Sequence, residues 1–409
     1  MCRFLLRESA VSDDAVKTRR GPRKKNPMQE MFAINEQQIW KRIQMAHDLD
    51  SGRPIHQLCT KWAARRRPIG INEIIEIVHA AGRFHIRFSP HHLKYFTNSL
   101  QSRSSGIHKE SVVGKLLYPL HKQGFNAPVR DFIGALAPKV GACAERYSER
   151  TFTAFQGMRE LKTCDPTDSL IFVLAGKITE TEETLSGHTL SRMIYGVQSM
   201  DPSDAVQKYL TATSGKLREL EGKDCLSIGD LAYAYYGLSR LSHCEPGNEI
   251  VSQLSTILES NTEIPEPSAV GMIVSGLRRP PPKNVASSSE IQTAADSEVD
   301  RALVAISSRI LDVSEPLDAR LNETLLEVLP NLGHGPGARQ LWLSLATWMQ
   351  KTSEARGDAS SKRMRRKAML RTAKWASKLP EYSELGELTK TVNAEFSEEA
   401  EGRQENTNM

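Results

Sequence analysis

Long apolar runs are missing from this 409-residue chain: none approaches the eighteen or so residues a membrane helix needs, so no membrane partner is expected. Cysteine is scarce. The six thiols, Cys2, Cys59, Cys143, Cys164, Cys225 and Cys244, form no CxxC pair and no tight framework, and a reducing compartment fits them best. Catalytic constellations are lacking too, since nothing reads as a Ser, His, Asp arrangement or as a pair of carboxylates. Two Gly-Lys pairs, in LAGKIT (174–179) and TSGKL (213–217), lack the earlier glycine of a phosphate-binding loop and fall inside predicted helices. GHGPG (333–337) reads as a turn between helices. His79, His85, His91 and His92 lie close in sequence, yet no cysteine or carboxylate completes a set of metal ligands. The expectation is a non-enzyme with no metal and no cofactor.

What the chain does contain is recurrence. SERTFTAFQGMREL (148–161), SGHTLSRMIYGVQSM (186–200), SIGDLAYAYYGLSRL (227–241) and EPSAVGMIVSGLRR (266–279) place a glycine after the same apolar pattern. These glycines, Gly157, Gly196, Gly237 and Gly276, are 39, 41 and 39 residues apart, the period of two-helix repeats. Pro119 and Pro330 stand in the glycine place of two further units, where a helix would bend or end early.

Within each unit the apolar residues keep one helix face. Leu190, Ile194, Val197 and Met200, and likewise Leu231, Tyr235, Leu238 and Leu241, step by four, three and three. The second helices step by four, as in Phe132, Leu136, Val140 and in Leu170, Leu174, Ile178, and most of them open on a proline, harmless at a helix start. In the fourth unit Thr213 replaces the expected apolar residue, and Leu210 with Leu217 carry the core. A glycine inside a helix costs about 1 kcal/mol against alanine, so close approach of neighbouring helices is the reason to keep it.

The predicted fold is therefore all-α, an α-solenoid of about seven helix-turn-helix repeats of 38–41 residues with basic terminal extensions. Residues 1–27 form a basic, disordered or targeting segment and 28–69 N-terminal capping helices. The repeats span 70–350, with a Pro/Ser-rich insertion at 280–298, and 351–409 hold a basic helix and an acidic tail.

Net charge is only +5, but it is uneven. Residues 17–25, 63–68 and 361–367 concentrate the excess, and such clusters favour phosphate backbones or acidic partners. The helix 362–378 carries Lys362, Arg363, Arg365, Arg366, Lys367, Arg371 and Lys374 on nearly all sides, and Arg65, Arg66 and Arg67 stand near Trp62. Either a polyanion covers these residues or they are solvated, the helix closing the solenoid with Met369, Ala373 and Ala376. Four residues before the glycine place stand Lys115, Thr153, Arg192, Tyr233 and Met272; three after it stand Lys122, Glu160, Ser199, Arg240 and Arg279. Variation between units suits a reading position, and equally an ordinary solvent face. The RNA-binding candidates are Lys115, Arg192, Arg240 and Arg279 together with the terminal cations.

The 38–41 residue period, the paired helices and the Tyr236-Gly237-Leu238 type of core resemble the octotricopeptide and heptatricopeptide repeat proteins over residues 70–350. That resemblance implies an organellar α-solenoid that binds RNA, in a mitochondrion or alternatively a plastid. Its partners would be an organellar transcript or ribosomal RNA and the protein subunits of a ribonucleoprotein such as the mitoribosome. The N-terminal segment has the Arg3, Arg7, Arg19, Arg20 and Arg23 of a transit peptide, interrupted by Glu8, Asp13 and Asp14. The tryptophan signature of those families is not intact, and no nuclease-like C-terminal domain is recognisable in the sequence. The other expectation is a scaffold that binds proteins in a large organellar complex.

Overall fold

The computed structural model describes residues 53–64, 69–103, 106–220, 226–278, 289–315 and 335–354, with isolated positions between them. Among these residues every regular element is helical: fourteen α-helices, two short 3-10 segments and no strand. The helices divide into two compact units, one up to Glu145 and one from Arg146 onward.

The first unit contains α1 (Arg53–Ala64), α2 (Ile71–Arg83), α3 (Pro90–Gln101), α4 (Glu110–Leu117) and α5 (Ala127–Gly141). Helices α1, α3 and α5 pack side by side in one layer, and α2 packs on α4 in the other. The second unit contains α6 (Glu149–Thr153), α7 (Asp165–Glu180), α8 (Gly187–Tyr195), α9 (Asp204–Arg218), α10 (Ile228–Gly237), α11 (Glu245–Ser260), α12 (Pro267–Gly276), α13 (Ser289–Ile310) and α14 (Pro336–Glu354). Here α6, α8, α10 and α12 form one row, while α7, α9, α11, α13 and α14 form the other. First helices thus stack on first helices and second on second, as helical hairpins do when neighbours share a core.

Local chemistry sets the helix starts. Ser89, Asn126, Ser186, Ser203 and Ser227 are N-caps whose side-chain oxygens accept from the N–H three residues on, at 3.1–3.3 Å. Pro90, Pro128, Pro166, Pro246 and Pro267 occupy the first turn of their helices, where no N–H is missed. Pro119 does shorten its helix. Helix α4 gives way to a 3-10 turn, Tyr118–Lys122, and α6 gives way to another, Ala154–Met158, around Gly157.

The predicted stripes are the core. Leu190, Ile194, Val197, Met200, Leu231, Tyr235, Leu238 and Leu241 are all fully buried, as are Leu170, Leu174, Ile178, Ile250, Leu254 and Leu258. Thr213 is buried too, and its hydroxyl donates to the Tyr209 carbonyl at 2.9 Å, which removes the penalty of a polar atom in the core. Two expectations need correction. Gly196, Gly237 and Gly276 lie at the ends of α8, α10 and α12 rather than inside them, because the chain must turn there toward the next helix. Helix α13 begins at Ser289, inside the stretch 280–298 assigned to the insertion; Glu290, Gln292, Ala294 and Ala295 are good helix formers that the local serine content obscured.

Neighbouring hairpins are also pinned by side chains that bond backbone groups about 35 residues away. In the first unit Gln123 accepts from Phe88 N–H (2.9 Å) and donates to the Ile86 carbonyl (3.0 Å), and Glu145 accepts from Glu110 N–H (2.9 Å). In the second, Glu263 accepts from Ile228 N–H (2.7 Å), and Asn261 donates to the Leu226 carbonyl (2.9 Å). Each bond satisfies a backbone group, in a loop or at the first residue of a helix, that no helix ladder serves.

Candidate nucleic-acid interface

In the second unit the first-layer helices touch at their glycines. A β-carbon on Gly196 would collide with the Phe155 carbonyl oxygen, one on Gly237 with that of Ile194, and one on Gly276 with that of Tyr235. The blocking carbonyl always belongs to the residue two places before the preceding unit's glycine. Backbone therefore meets backbone at one repeated register, and side chains one and four places before the glycine line up along the row, opposite the core stripe.

At α8 and α10 these side chains are aromatic or cationic. The Arg192 guanidinium carbon lies 3.5 Å from the centre of the Tyr233 ring. Tyr195 meets Tyr233 edge-on at 5.1 Å and Tyr236 at 6.2 Å, while Arg159 lies over Tyr195 at 5.7 Å. Arg159 and Tyr195 are buried; Arg192, Tyr233 and Tyr236 are half-buried and form the outer rank. Such contacts orient the cations over ring faces instead of leaving them free in solvent. Gln198 is 6% exposed and donates to the Arg159 carbonyl at 3.4 Å, but its own side-chain oxygen has no hydrogen-bond partner among the described residues. The same holds for the buried hydroxyl of Ser275, which takes in α12 the place of Tyr195 and Tyr236.

The cations predicted from sequence meet different fates. Arg192 belongs to this cluster. Arg240 turns away, reaching the Ser199 carbonyl and the Asp201 carboxylate, both at 3.4 Å. Lys115, in the first unit, pairs with Glu76 at 3.3 Å; both side chains are about two-fifths exposed, so the pair contributes little to stability. Arg65, Arg66, Arg67, Arg279, Lys362, Arg363, Arg365, Arg366, Lys367, Arg371 and Lys374 lie outside the described residues. Reading the sequence by charge missed Tyr195, Tyr236, Arg159 and Gln198. The signal was present as tyrosine repeated one place before two successive glycines.

Elsewhere the chemistry is structural. Both Gly-Lys pairs sit within α7 and α9. Gly335 packs against the Asp300 carboxylate, so a phosphate beside GHGPG would meet negative charge. His92, buried between α1 and α3, has its Nδ1 3.4 Å from His56 Nδ1 and its Nε2 2.9 Å from Thr60 Oγ1. Burial, with His56 and His91 nearby, depresses its pKa to about 4. Burial likewise pushes the Cys59 thiol up to about 12, so it stays protonated and packs as a small apolar group. Among the described residues no three His, Cys, Asp or Glu side chains stand together as metal ligands, and no helix is long and apolar enough to cross a membrane.

The accessible part of the cluster, two tyrosine rings and the Arg192 guanidinium, offers planar faces and one positive charge, which suits a planar ligand carrying negative charge. No protein-family model matches the sequence, and no curated protein of similar sequence is found.

Proposed function

We propose that this chain is a non-catalytic RNA-binding helical-repeat protein, an α-solenoid of about seven hairpin repeats related to the octotricopeptide and heptatricopeptide type. The observation that carries the reading is the fixed register of the first-layer row. The glycine contacts repeat from α8 to α12, while the residue four places before the glycine changes from half-buried Thr153, Arg192 and Tyr233 to buried Met272. A constant frame with a variable face is how a repeat protein presents a different group to each successive position of an extended ligand. The basic segments 63–68 and 361–367 add the charge that attracts a phosphate backbone. The resemblance favours a mitochondrion, or alternatively a plastid, and a role in RNA processing or stability or within a ribonucleoprotein such as the mitoribosome.

A second reading has its own support. Phe172 on α7 is 53% exposed, with the Lys208 ammonium of α9 3.8 Å above its ring. An exposed aromatic on the second-layer row suits a protein partner, as a scaffold subunit of a large organellar complex would require.

Reversing Arg363, Arg365 and Arg366 to Glu in the full chain and measuring retention of a single-stranded RNA separates the two. The RNA reading expects loss of retention in the variant, and RNA that is never retained by the parent chain contradicts it.

A further inference from the structure

We infer that the outer rank of the tyrosine–arginine cluster, Arg192, Tyr233 and Tyr236, is a docking site for unpaired bases of single-stranded RNA. This deepens the RNA-binding reading and rests on it.

Two observations meet at this place. The first is composition and exposure: half-buried Arg192 on α8 and half-buried Tyr233 on α10 occupy equivalent places of consecutive first-layer helices, and half-buried Tyr236 follows one turn after Tyr233 on α10. Aromatic rings and guanidinium planes are the groups on which unpaired bases stack, and the arginine also meets the phosphate that accompanies each base. The second is preorganisation. Tyr195 and Arg159, both buried, brace the outer rank from behind, with Tyr195 touching both outer tyrosines and Arg159 lying over Tyr195. The rings are thus ordered before any ligand arrives, which lowers the entropy lost on binding.

The rings, rather than charge, favour nucleic acid over an acidic peptide: carboxylates pair with cations and make no use of ring faces, whereas unpaired bases stack on them.

The test uses the full chain and a fluorescent mixed-sequence single-stranded RNA, with circular dichroism to confirm that each variant folds. Replacing Tyr233→Ala and Tyr236→Ala together is expected to weaken binding at least tenfold, because each lost stack is worth roughly five-fold or more. Tyr233→Phe with Tyr236→Phe keeps the rings and is expected to stay within about twofold. Ultraviolet cross-linking of the parent chain, read by mass spectrometry, is expected to mark Tyr233 or Tyr236, and this measurement stands even if the alanine variant does not fold. RNA binding that survives the alanine pair, with cross-links elsewhere, overturns the site while leaving the RNA reading in place. Binding of polyglutamate that depends on these tyrosines, with RNA affinity unchanged, overturns it in favour of an acidic protein. A parent chain that binds no RNA removes the underlying reading itself.

Discussion

Gly237 rests directly on the carbonyl oxygen of Ile194, one helix back in the same row, and there is no room for a single carbon more. The obstacle is backbone, which cannot rotate aside as a flexible side chain would. Gly237→Ala is therefore expected to destabilise the chain by about 1–3 kcal/mol through overpacking. Gly215, inside α9, has nothing within 4 Å of the equivalent position. There alanine only removes backbone freedom from the unfolded chain, so Gly215→Ala is expected to stabilise by about 0.5–1 kcal/mol. Urea titrations of the two variants should move in opposite directions; equal shifts would mean that the glycine contacts are not what sets the row.

Gln123 ties two hairpins of the first unit together through the Phe88 N–H and the Ile86 carbonyl. Removing it leaves both backbone groups buried without a partner. Gln123→Ala is expected to cost about 1–3 kcal/mol. Gln123→Glu retains the acceptor for Phe88 but loses the donor to Ile86 and buries a charge, so it should be no better than alanine in thermal melts.

Arg309 closes the end of α11, with bonds to the carbonyls of Leu258 (2.6 Å) and Glu259 (3.4 Å) and to the Asn261 side chain (3.2 Å). A cation at a helix C-terminus also meets the negative end of the helix dipole. Lysine keeps the charge but not the planar fork that reaches these oxygens together. Arg309→Lys should accordingly lose about 1–2 kcal/mol, and hydrogen exchange should show faster opening of the last turn of α11.

Acid should loosen the first unit before the carboxylates titrate fully. His92 is neutral in the folded chain with its pKa at about 4, below the 6.5 of an exposed histidine. Between those values the unfolded chain binds a proton that the folded chain refuses. The stability that neutral His92 allows is thus complete above pH 6.5 and is lost as pH falls toward 4. His56, facing it, is depressed by burial in the same direction. Thermal melting at successive pH values should show this fall, and His92→Gln should flatten it. An unchanged slope in the variant would assign the acid sensitivity to other groups.

Periodicity made the fold legible. Apolar steps of four, three and three in the first helices and of four in the second, with Pro119, Gly157, Gly196, Gly237 and Gly276 spaced 38–41 residues apart, located the helices of these hairpins, because burial of one stripe is a constraint every unit shares. What sequence could not show was which atoms meet between neighbouring hairpins. The collision of Gly196 with Phe155 depends on a partner 41 residues away, and the same distance effect hides Gln123 and Asn261, whose backbone partners lie 35–37 residues off. The candidate site was legible in part, through the place four residues before the glycine, which holds Arg192 and Tyr233. Arg192 was found because it is a cation, whereas Tyr195 and Tyr236 looked like ordinary core until the packing placed them beside Tyr233. Arg240 looked equivalent to Arg192, but Asp201 engages it.

The central claim is that the chain holds RNA through its phosphates and bases. The most direct measurement is the affinity of the full chain for single-stranded RNA over a series of salt concentrations. Engagement of three or more phosphates predicts a plot of log affinity against log salt with a slope of about −2 or steeper. A flat plot, or no binding at low salt, would contradict the claim.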